Sequence, residues 1–287
     1  MTSVVDAHND LLLELVLRSE EENPFGTAWL PQLHAGSVAV QICPVYGADA
    51  GDEARDVVRA QIAAFDALWD AGARMVSLTW NYANPFAGGI DAPEQGLTDE
   101  GRELVGSFAE RGVVLDLAHA SERTYFEALE AAPAAQVVVS HAGCRGVHDH
   151  VRNVSDDQLH ALAERGGVLG MMALTLTVGR NGASLERYLQ HVDHAVELMG
   201  IEHVALGSDF IDQVIQAELA AGKPLNPSTR EAMDLGGGRL AIQELVGAAD
   251  YPALLEALRR RGYDGERLDA IAHGNLLRVL RAGLPPT

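Results

Sequence analysis

The chain has 287 residues, 47% of them hydrophobic, and a formal net charge of −20 at pH 7. This length suits one α/β barrel domain with a single large core, and the negative charge argues against nucleic acid or an anionic membrane as a partner. The two cysteines, Cys43 and Cys144, indicate no disulfide framework. Because the sequence shows no leader-like segment and no run of about 18 apolar residues, we expect a cytoplasmic protein.

Short apolar runs alternate with helix-like segments along most of the chain. We expect seven strands, at residues 3–8, 37–45, 75–79, 113–119, 137–141, 168–173 and 203–209. An order of strand, helix, strand is typical of a parallel sheet covered by helices. The sequence therefore predicts the α/β class, with the carboxyl ends of the strands as the place for an active site.

The expected helices lie between and after these strands. They cover residues 11–18 (or the start of a long loop), 52–69, 98–112, 121–136, 155–166, 185–199, 251–261 and 265–282. Thr98 resembles an N-cap, and Ser155 with Gln158 resembles a capping box. Residues 210–236 are interpreted as a polar insertion with weak patterning. Since no linker divides the chain, residues 1–287 are predicted to form one domain.

Residues with metal-ligand chemistry stand at the ends of four expected strands. One histidine at a strand end is more often structural than a ligand, but four such ends favour a shared site. They carry His8 and Asp10, His119, His141, and Asp209. Imidazole nitrogens and carboxylate oxygens are the ligands that zinc prefers outside thiolate sites. We expect these five side chains to converge.

The order of these motifs resembles that of the membrane (renal-type) dipeptidases, a branch of the amidohydrolase superfamily. The resemblance spans nearly the whole chain. Each segment is weak evidence alone, but the full set in this order is highly specific. The matching segments are Asp-Ala-His8-Asn-Asp10-Leu, Gly96-Leu-Thr98, Leu115-Asp-Leu-Ala-His119, Ser140-His141, Arg152-Asn153, Gly207-Ser-Asp209 and Gly274-Asn275-Leu-Leu-Arg-Val.

The resemblance implies a TIM-type (β/α)8-like barrel that holds two zinc ions and hydrolyses a dipeptide through a metal-bound hydroxide. One zinc would use His8 and Asp10 with Asp209 nearby, the other His119 and His141, and a glutamate would bridge them. Asp209 would also handle the proton, and the guanidinium of Arg152 would bind the substrate's carboxylate. Manganese or cobalt remain alternatives to zinc.

Two departures from the family change the expected site. The family's bridging glutamate lies in a Glu-Gly-Gly-His motif that this chain lacks, and residues 46–75 leave room for one helix only. We therefore expect an abbreviated barrel of seven strands with one firmly held metal and a second that is weak or absent. Glu53 or Asp56 could supply a bridge, although both suit a helix surface better. Trp80 stands where the family has a histidine that can stabilise an oxyanion, and it is a candidate substrate-binding residue.

Three functions remain open at this point. The first is a metal-dependent dipeptidase acting on a small, carboxylate-bearing substrate. The second is a related enzyme of different specificity in a dedicated pathway, which the two departures favour. The third is a non-catalytic barrel that binds a metal or ligand. His148 and His150 could add metal ligands, and so could Cys144, which lies three residues past His141. Cys43 lies in a strand-like run and is interpreted as a buried small hydrophobe. A homo-oligomer could cover an exposed strand edge.

Overall fold

The computed structural model describes residues 2–18, 20–44, 74–179, 182–222, 224–225, 229–230, 233–234 and 238–283. The helix expected at 52–69, with Glu53 and Asp56, lies outside these residues. Contacts divide the chain into two compact units. The first unit comprises Met1–Val45, Ser140–Leu159 and Leu169–Leu277, and the second comprises Tyr46–Val139, His160–Val168 and Arg278–Thr287. The single domain expected from the sequence stays a prediction.

Within the described ranges, seven strands form one sheet with the order β2-β1-β7-β6-β5-β4-β3. The pairs β1–β2, β1–β7, β3–β4, β4–β5 and β6–β7 are parallel. The predicted α/β class with seven parallel strands is thereby confirmed. The strands are β1 (Val4–Asp6), β2 (Val38–Gln41), β3 (Met75–Ser77), β4 (Val114–Asp116), β5 (Val137–Ala142), β6 (Val168–Met171) and β7 (Val204–Leu206).

The inner strands of the sheet are more deeply buried than the two strands at its ends. Every residue of β1, β4, β5, β6 and β7 is buried, which explains why these strands read as continuous apolar runs and not as alternating ones. The two strands at the ends of the order, β2 and β3, are partly exposed. A strand with a neighbour on one side only is covered less completely, so this difference is expected.

The described helices and helical turns are α1 (Leu11–Leu17), a π-turn (Phe25–Trp29), α2 (Leu30–Ala35), α3 (Asp99–Arg111), α4 (Glu122–Ala131), α5 (Asp156–Glu164), α6 (Thr175–Val178), α7 (Leu185–Met199), a 3₁₀ turn (Ile201–His203), α8 (Asp212–Ala220), a 3₁₀ turn (Ala248–Asp250), α9 (Tyr251–Arg260), α10 (Glu266–Asp269), a π-turn (Ala270–Gly274) and α11 (Asn275–Gly283). In the part of the chain described here, no helix has both the length and the apolar composition needed to cross a membrane.

The helix starts predicted from polar residues are confirmed. The hydroxyl of Thr98 accepts a hydrogen bond from the backbone N–H of Gly101 at 3.0 Å, which satisfies a donor in the first turn of α3. At α5, Gln158 N–H donates to Ser155 Oγ at 3.4 Å and Ser155 N–H donates to Gln158 Oε1 at 2.8 Å. That reciprocal pair is a capping box. These local signals fix where each helix begins.

The helices α2, α6 and α8 were not expected from the sequence. The supposed insertion at 210–236 contains α8, and the segment after Asn23 contains the π-turn and α2. Helix α8 is stabilised by packing, because Ile215 lies in an apolar cluster with Met172, Leu174 and Leu240. Tertiary contacts of this kind stabilise helices whose sequence pattern alone is too weak to predict them.

Two glycines within α3 give a matched test of packing in the second unit. A Cβ on Gly101 would collide with the backbone carbonyl of Phe86, whereas a Cβ on Gly106 would meet nothing within 4 Å. We expect Gly101→Ala to lower the free energy of unfolding by about 1–3 kcal/mol. Gly106→Ala should raise it by about 0.5–1 kcal/mol, because alanine loses less entropy in a helix. Chemical denaturation measures both changes, and equal effects would contradict this packing.

Candidate metal centre

Four of the five predicted ligand residues lie in the first unit, where the ends of β1, β5 and β7 bring them together. His8, Asp10, His141 and Asp209 are all buried, none more than 9% exposed. His8 Nε2 lies 3.4 Å from Asp10 Oδ1 and 3.9 Å from Asp209 Oδ1. The imidazole rings of His8 and His141 stack with their centroids 3.7 Å apart. One nitrogen ligand and two carboxylates thus face each other in a buried space.

The spacing of these atoms fits a metal ion. His8, Asp10 and Asp209 each offer one ligand atom, and these atoms lie within 4.8 Å of one another. Bonds of about 2.0–2.2 Å to one tetrahedral ion place two ligand atoms about 3.4 Å apart. The observed pairs at 3.4 and 3.9 Å are close to that value. The donor set is also the one that zinc prefers outside thiolate sites.

The ring contacts of His141 favour one of its nitrogens as a ligand. Its Nδ1 lies 2.7 Å from the hydroxyl of Ser140. A hydrogen bond at one ring nitrogen fixes the orientation of the ring and presents the other nitrogen, here Nε2, for coordination. Ser140 was not singled out from the sequence, because a serine beside a histidine is common.

The electrostatics of the first unit's site also favour a bound cation. Burial raises the pKa of Asp209 to about 6, and the nearby carboxylates of Asp10 and Asp6 add to this rise. His8 and the guanidinium of Arg152 act in the opposite direction. Clustered buried carboxylates repel one another, and a dication between them reverses that effect.

Beneath the ligand residues, the buried carboxylate of Asp6 holds two strand ends. Its Oδ1 accepts hydrogen bonds from the backbone N–H of His8 at 3.4 Å and of Ser208 at 3.3 Å. The hydroxyl of Tyr251 donates to Ser208 Oγ at 3.2 Å and so ties α9 to the same point. Burial raises the pKa of Asp6, and the polar side chains of Tyr251 and Gln41 nearby partly offset this rise. Asp6 therefore sets the separation of the segments that carry His8 and Asp209.

Two candidate ligands adopt a backbone conformation that side chains usually avoid. Among the described residues, the non-glycine positions with positive φ are Ser37, His119 and Asp209, with values of 54°, 64° and 57°. The left-handed region costs an ordinary residue about 1–2 kcal/mol. Such strain clusters at functional sites, where the surrounding structure enforces it.

Arg152 lies in the loop after β5 and is 7% exposed. Its Nη2 donates a hydrogen bond to the backbone carbonyl of His141 at 3.0 Å. The next residue anchors the loop, since Asn153 accepts from the N–H of Gly143 and donates to the carbonyls of His148 and Thr177. The hydrogen bonds of Asn153 therefore fix the loop, and the loop holds Arg152 close to His141.

The remaining candidates near this loop take other positions. His148 and His150 stack on each other with centroids 6.0 Å apart, and neither belongs to the ligand cluster. Cys144 is buried, its Sγ donates to the carbonyl of His191 at 3.5 Å, and burial raises the pKa of its thiol. Cys144 is not a member of the cluster of His8, Asp10 and Asp209. Cys43, which the sequence predicted to be a buried hydrophobe, is only partly buried.

His119, the fifth predicted ligand, belongs to the second unit. Its Nδ1 lies 2.7 Å from Asn81 Oδ1, and since an amide oxygen only accepts, Nδ1 is the donor and Nε2 is the nitrogen that would bind a metal. The ring of Trp80 lies 6.2 Å from the ring of His119. The role of Asn81 was not visible in the sequence. The five ligand assignments, with Arg152 and Trp80, stay predictions about function.

Comparisons with known proteins point to one family. The sequence profile of the membrane dipeptidase family, peptidase family M19, matches residues 51–220. An uncharacterized dipeptidase of Schizosaccharomyces pombe is 34% identical over 240 residues, which are 80% of this chain and 51% of that protein. The chain spans between 41% and 51% of the length of the curated dipeptidases that it matches.

Solved structures show the same fold. A dipeptidase described as a metallopeptidase of family M19 superposes with a TM-score of 0.77 at 20% identity, covering 98% of this chain and 99% of its own. A metallopeptidase of Rhodobacter sphaeroides, bound to a phosphinate mimic of the dipeptide L-Ala-D-Ala, superposes with a TM-score of 0.73 at 20% identity, covering 98% and 99%. The profile match over more than half of the chain shows that the protein belongs to the membrane dipeptidase family.

Proposed function

We propose that this chain is a metal-dependent hydrolase that cleaves the amide bond of a dipeptide or a similar small substrate bearing a carboxylate. The observation that carries the proposal is the buried cluster of His8, Asp10 and Asp209, whose ligand atoms have the spacing of a metal site. Membership of the dipeptidase family supports the reaction. Cytoplasmic location and the oligomeric state stay predictions.

The residues of the first unit would hold one divalent ion, which we propose is zinc, with manganese or cobalt as alternatives. His8, Asp10 and Asp209 surround the position, and His141 lies stacked against His8. Such an ion supplies Lewis-acid polarisation of the amide carbonyl and an activated water. The chain's contribution is a buried site with fixed ligands, because an imidazole held by a second hydrogen bond loses less freedom on coordination.

Three side chains would act on the substrate or on the attacking water. Asp209, with Oδ1 at the edge of the ligand cluster, would accept the proton of the attacking water and pass it to the leaving amine. The guanidinium of Arg152 would bind the substrate's carboxylate through charge-assisted hydrogen bonds. Trp80 would contact the substrate and can donate one hydrogen bond through its indole N–H.

A divergent specificity is the second candidate function. Its support is Trp80, which replaces the family's histidine and is 44% exposed beside His119. An indole cannot become a cation, so it cannot stabilise an oxyanion as an imidazolium can. A non-catalytic barrel is disfavoured because the ligand cluster and Arg152 are all present. Hydrolysis of a dipeptide panel by the zinc, manganese and cobalt forms, followed by chelation, tests the proposal, and no hydrolysis with any metal would reject it.

The number of metal ions tests the expected loss of the bridging carboxylate. We expect protein purified without chelator to retain about one equivalent of metal per chain through dialysis. Without a bridging anion, two dications about 3.5–4 Å apart repel each other too strongly for a second to stay. Elemental analysis gives the count, and two retained equivalents would contradict the expectation.

Removal of Asp6 should weaken metal binding without touching a ligand. We expect Asp6→Ala to reduce metal affinity by about 10–100-fold, the range typical of residues that orient ligands. Asp6→Asn keeps one acceptor oxygen and should lose less. Competition with a chromophoric chelator measures the affinity.

A matched control for this experiment is Asn275→Ala. The buried side-chain amide of Asn275 donates to the carbonyls of Ile201 and Val204. Like Asp6→Ala, this variant removes two hydrogen bonds between a side chain and the backbone, but they lie at the amino end of β7. Its effect on folding should resemble that of Asp6→Ala, while metal affinity stays unchanged. Equal losses of affinity in both variants would mean that Asp6 acts only through general stability.

Arg152→Ala should raise KM for a dipeptide with a free carboxylate by about 10–100-fold, because a charge-assisted hydrogen bond contributes about 1.5–3 kcal/mol. The matching dipeptide amide has no such carboxylate, so its KM should change much less. Steady-state kinetics on the two substrates gives both values. Equal increases would show that Arg152 supports His141 but does not bind the carboxylate.

A further inference from the structure

Two exposed aromatic side chains lie side by side in the segment after β3, in the second unit. Trp80 is 44% exposed and Tyr82 is 56% exposed. Their rings meet edge to face, with centroids 5.5 Å apart and planes at 78°. We call this pair the aromatic shelf. Apolar surface that remains in water can be stabilised by covering it, so a paired, exposed set of rings is suited to binding an apolar group.

The aromatic shelf lies beside His119. The indole of Trp80 is 6.2 Å from the imidazole, centroid to centroid, with planes at 44°. Asn81, between the two shelf residues, holds Nδ1 of that imidazole. The same short segment therefore positions both the candidate ligand nitrogen and the aromatic surface. A molecule that reaches His119 Nε2 comes within one side-chain length of the aromatic shelf.

The loop that carries the aromatic shelf is fixed to the segment of His119. Ile90 N–H donates to the carbonyl of His119 at 3.0 Å, and Asp91 N–H donates to the carbonyl of Asn81 at 2.8 Å. At the preceding residue, Gly89, a Cβ would collide with the backbone carbonyls of Trp80 and Asn81, so only glycine fits there. A surface held in this way needs little ordering when it binds, and such preorganisation favours affinity.

We propose that the aromatic shelf is a specificity subsite that binds an aromatic or large aliphatic side chain of the substrate's N-terminal residue. The proposal rests on the proposed function. The N-terminal residue is chosen because the carbonyl carbon of the cleaved amide is bonded directly to its Cα. Its side chain is then closer to the attacked carbon, and so to a candidate ligand such as His119, than the side chain of the second residue is. A cationic side chain, which could also stack on an indole, is the competing occupant.

The test uses dipeptides that differ only at the N-terminal residue: Phe-Gly, Leu-Gly, Ala-Gly and Lys-Gly. We expect kcat/KM to be at least about tenfold higher for Phe-Gly than for Ala-Gly, as apolar pockets typically discriminate. Trp80→Ala should bring this ratio close to one, Tyr82→Ala should lower it partly, and Trp80→Phe should preserve most of it. Phe126→Ala is the matched control, since Phe126 is an exposed aromatic on α4 of the same unit and should leave the ratio unchanged.

The outcomes separate this proposal from the proposed function. If no dipeptide is hydrolysed with any metal, the proposed function fails, and calorimetric binding of the same dipeptides then measures the ratio as dissociation constants. If dipeptides are hydrolysed or bound without preference for Phe-Gly over Ala-Gly, the aromatic shelf is rejected and the proposed function stands. A preference for Lys-Gly, or an unchanged ratio in Trp80→Ala, would also overturn the proposal.

Discussion

The candidate metal centre of the first unit depends on the hydrogen bonds that Asp6 accepts. Its carboxylate binds the backbone N–H groups of His8 and Ser208, and these residues follow β1 and β7. Parallel strands run out of hydrogen-bond partners where they end, so the backbone there needs another acceptor. A single buried carboxylate fills that need for two strands at once. It thereby fixes the separation of His8 and Asp209, on which any shared ligand geometry depends.

The second unit repeats the device in a simpler form. Asp116, the last residue of β4, accepts a hydrogen bond from the N–H of Ala118 at 3.0 Å. His119 follows at once, with the positive φ that this tight turn requires. In both units an aspartate at the end of a strand bends the chain so that a histidine two or three residues later leaves the strand direction. The ligand residues stand on turns whose shape is set by a neighbouring carboxylate.

The sequence predicted the features that have a local cause. Seven strands, the cap at Thr98 and the capping box at Ser155 follow from apolar runs and polar caps, and all are present. Helix α8 was missed because its stability comes from Ile215 packing on distant residues. The strands also end earlier than expected, so that His8, His119 and Asp209 lie two or three residues beyond them. Apolar runs do not show where pairing stops.

The candidate site divides in the same way. His8, Asp10, His141 and Asp209 were identified from residue type and order, and Arg152 from the family resemblance; all five lie in the first unit. No supporting role was predicted for Asp6, Ser140 or Asn153, because their roles depend on hydrogen bonds that form only in the folded chain. A residue that binds a metal or a substrate must be of a particular type, so it can be recognised in the sequence. A residue that only positions it can be of many types and is therefore hard to recognise.

The left-handed backbone at Asp209 bears on how this protein can change over evolutionary time. Asparagine, aspartate and glycine adopt that conformation more easily than other residues do. The codons of asparagine and of glycine each differ from an aspartate codon by a single base, so one mutation from aspartate to either residue removes the carboxylate while the turn survives. Natural drift could therefore silence the chemistry of such a chain in one step and leave a folded barrel protein available for a new role. The reverse mutation, which restores the aspartate, would also need only a single base change.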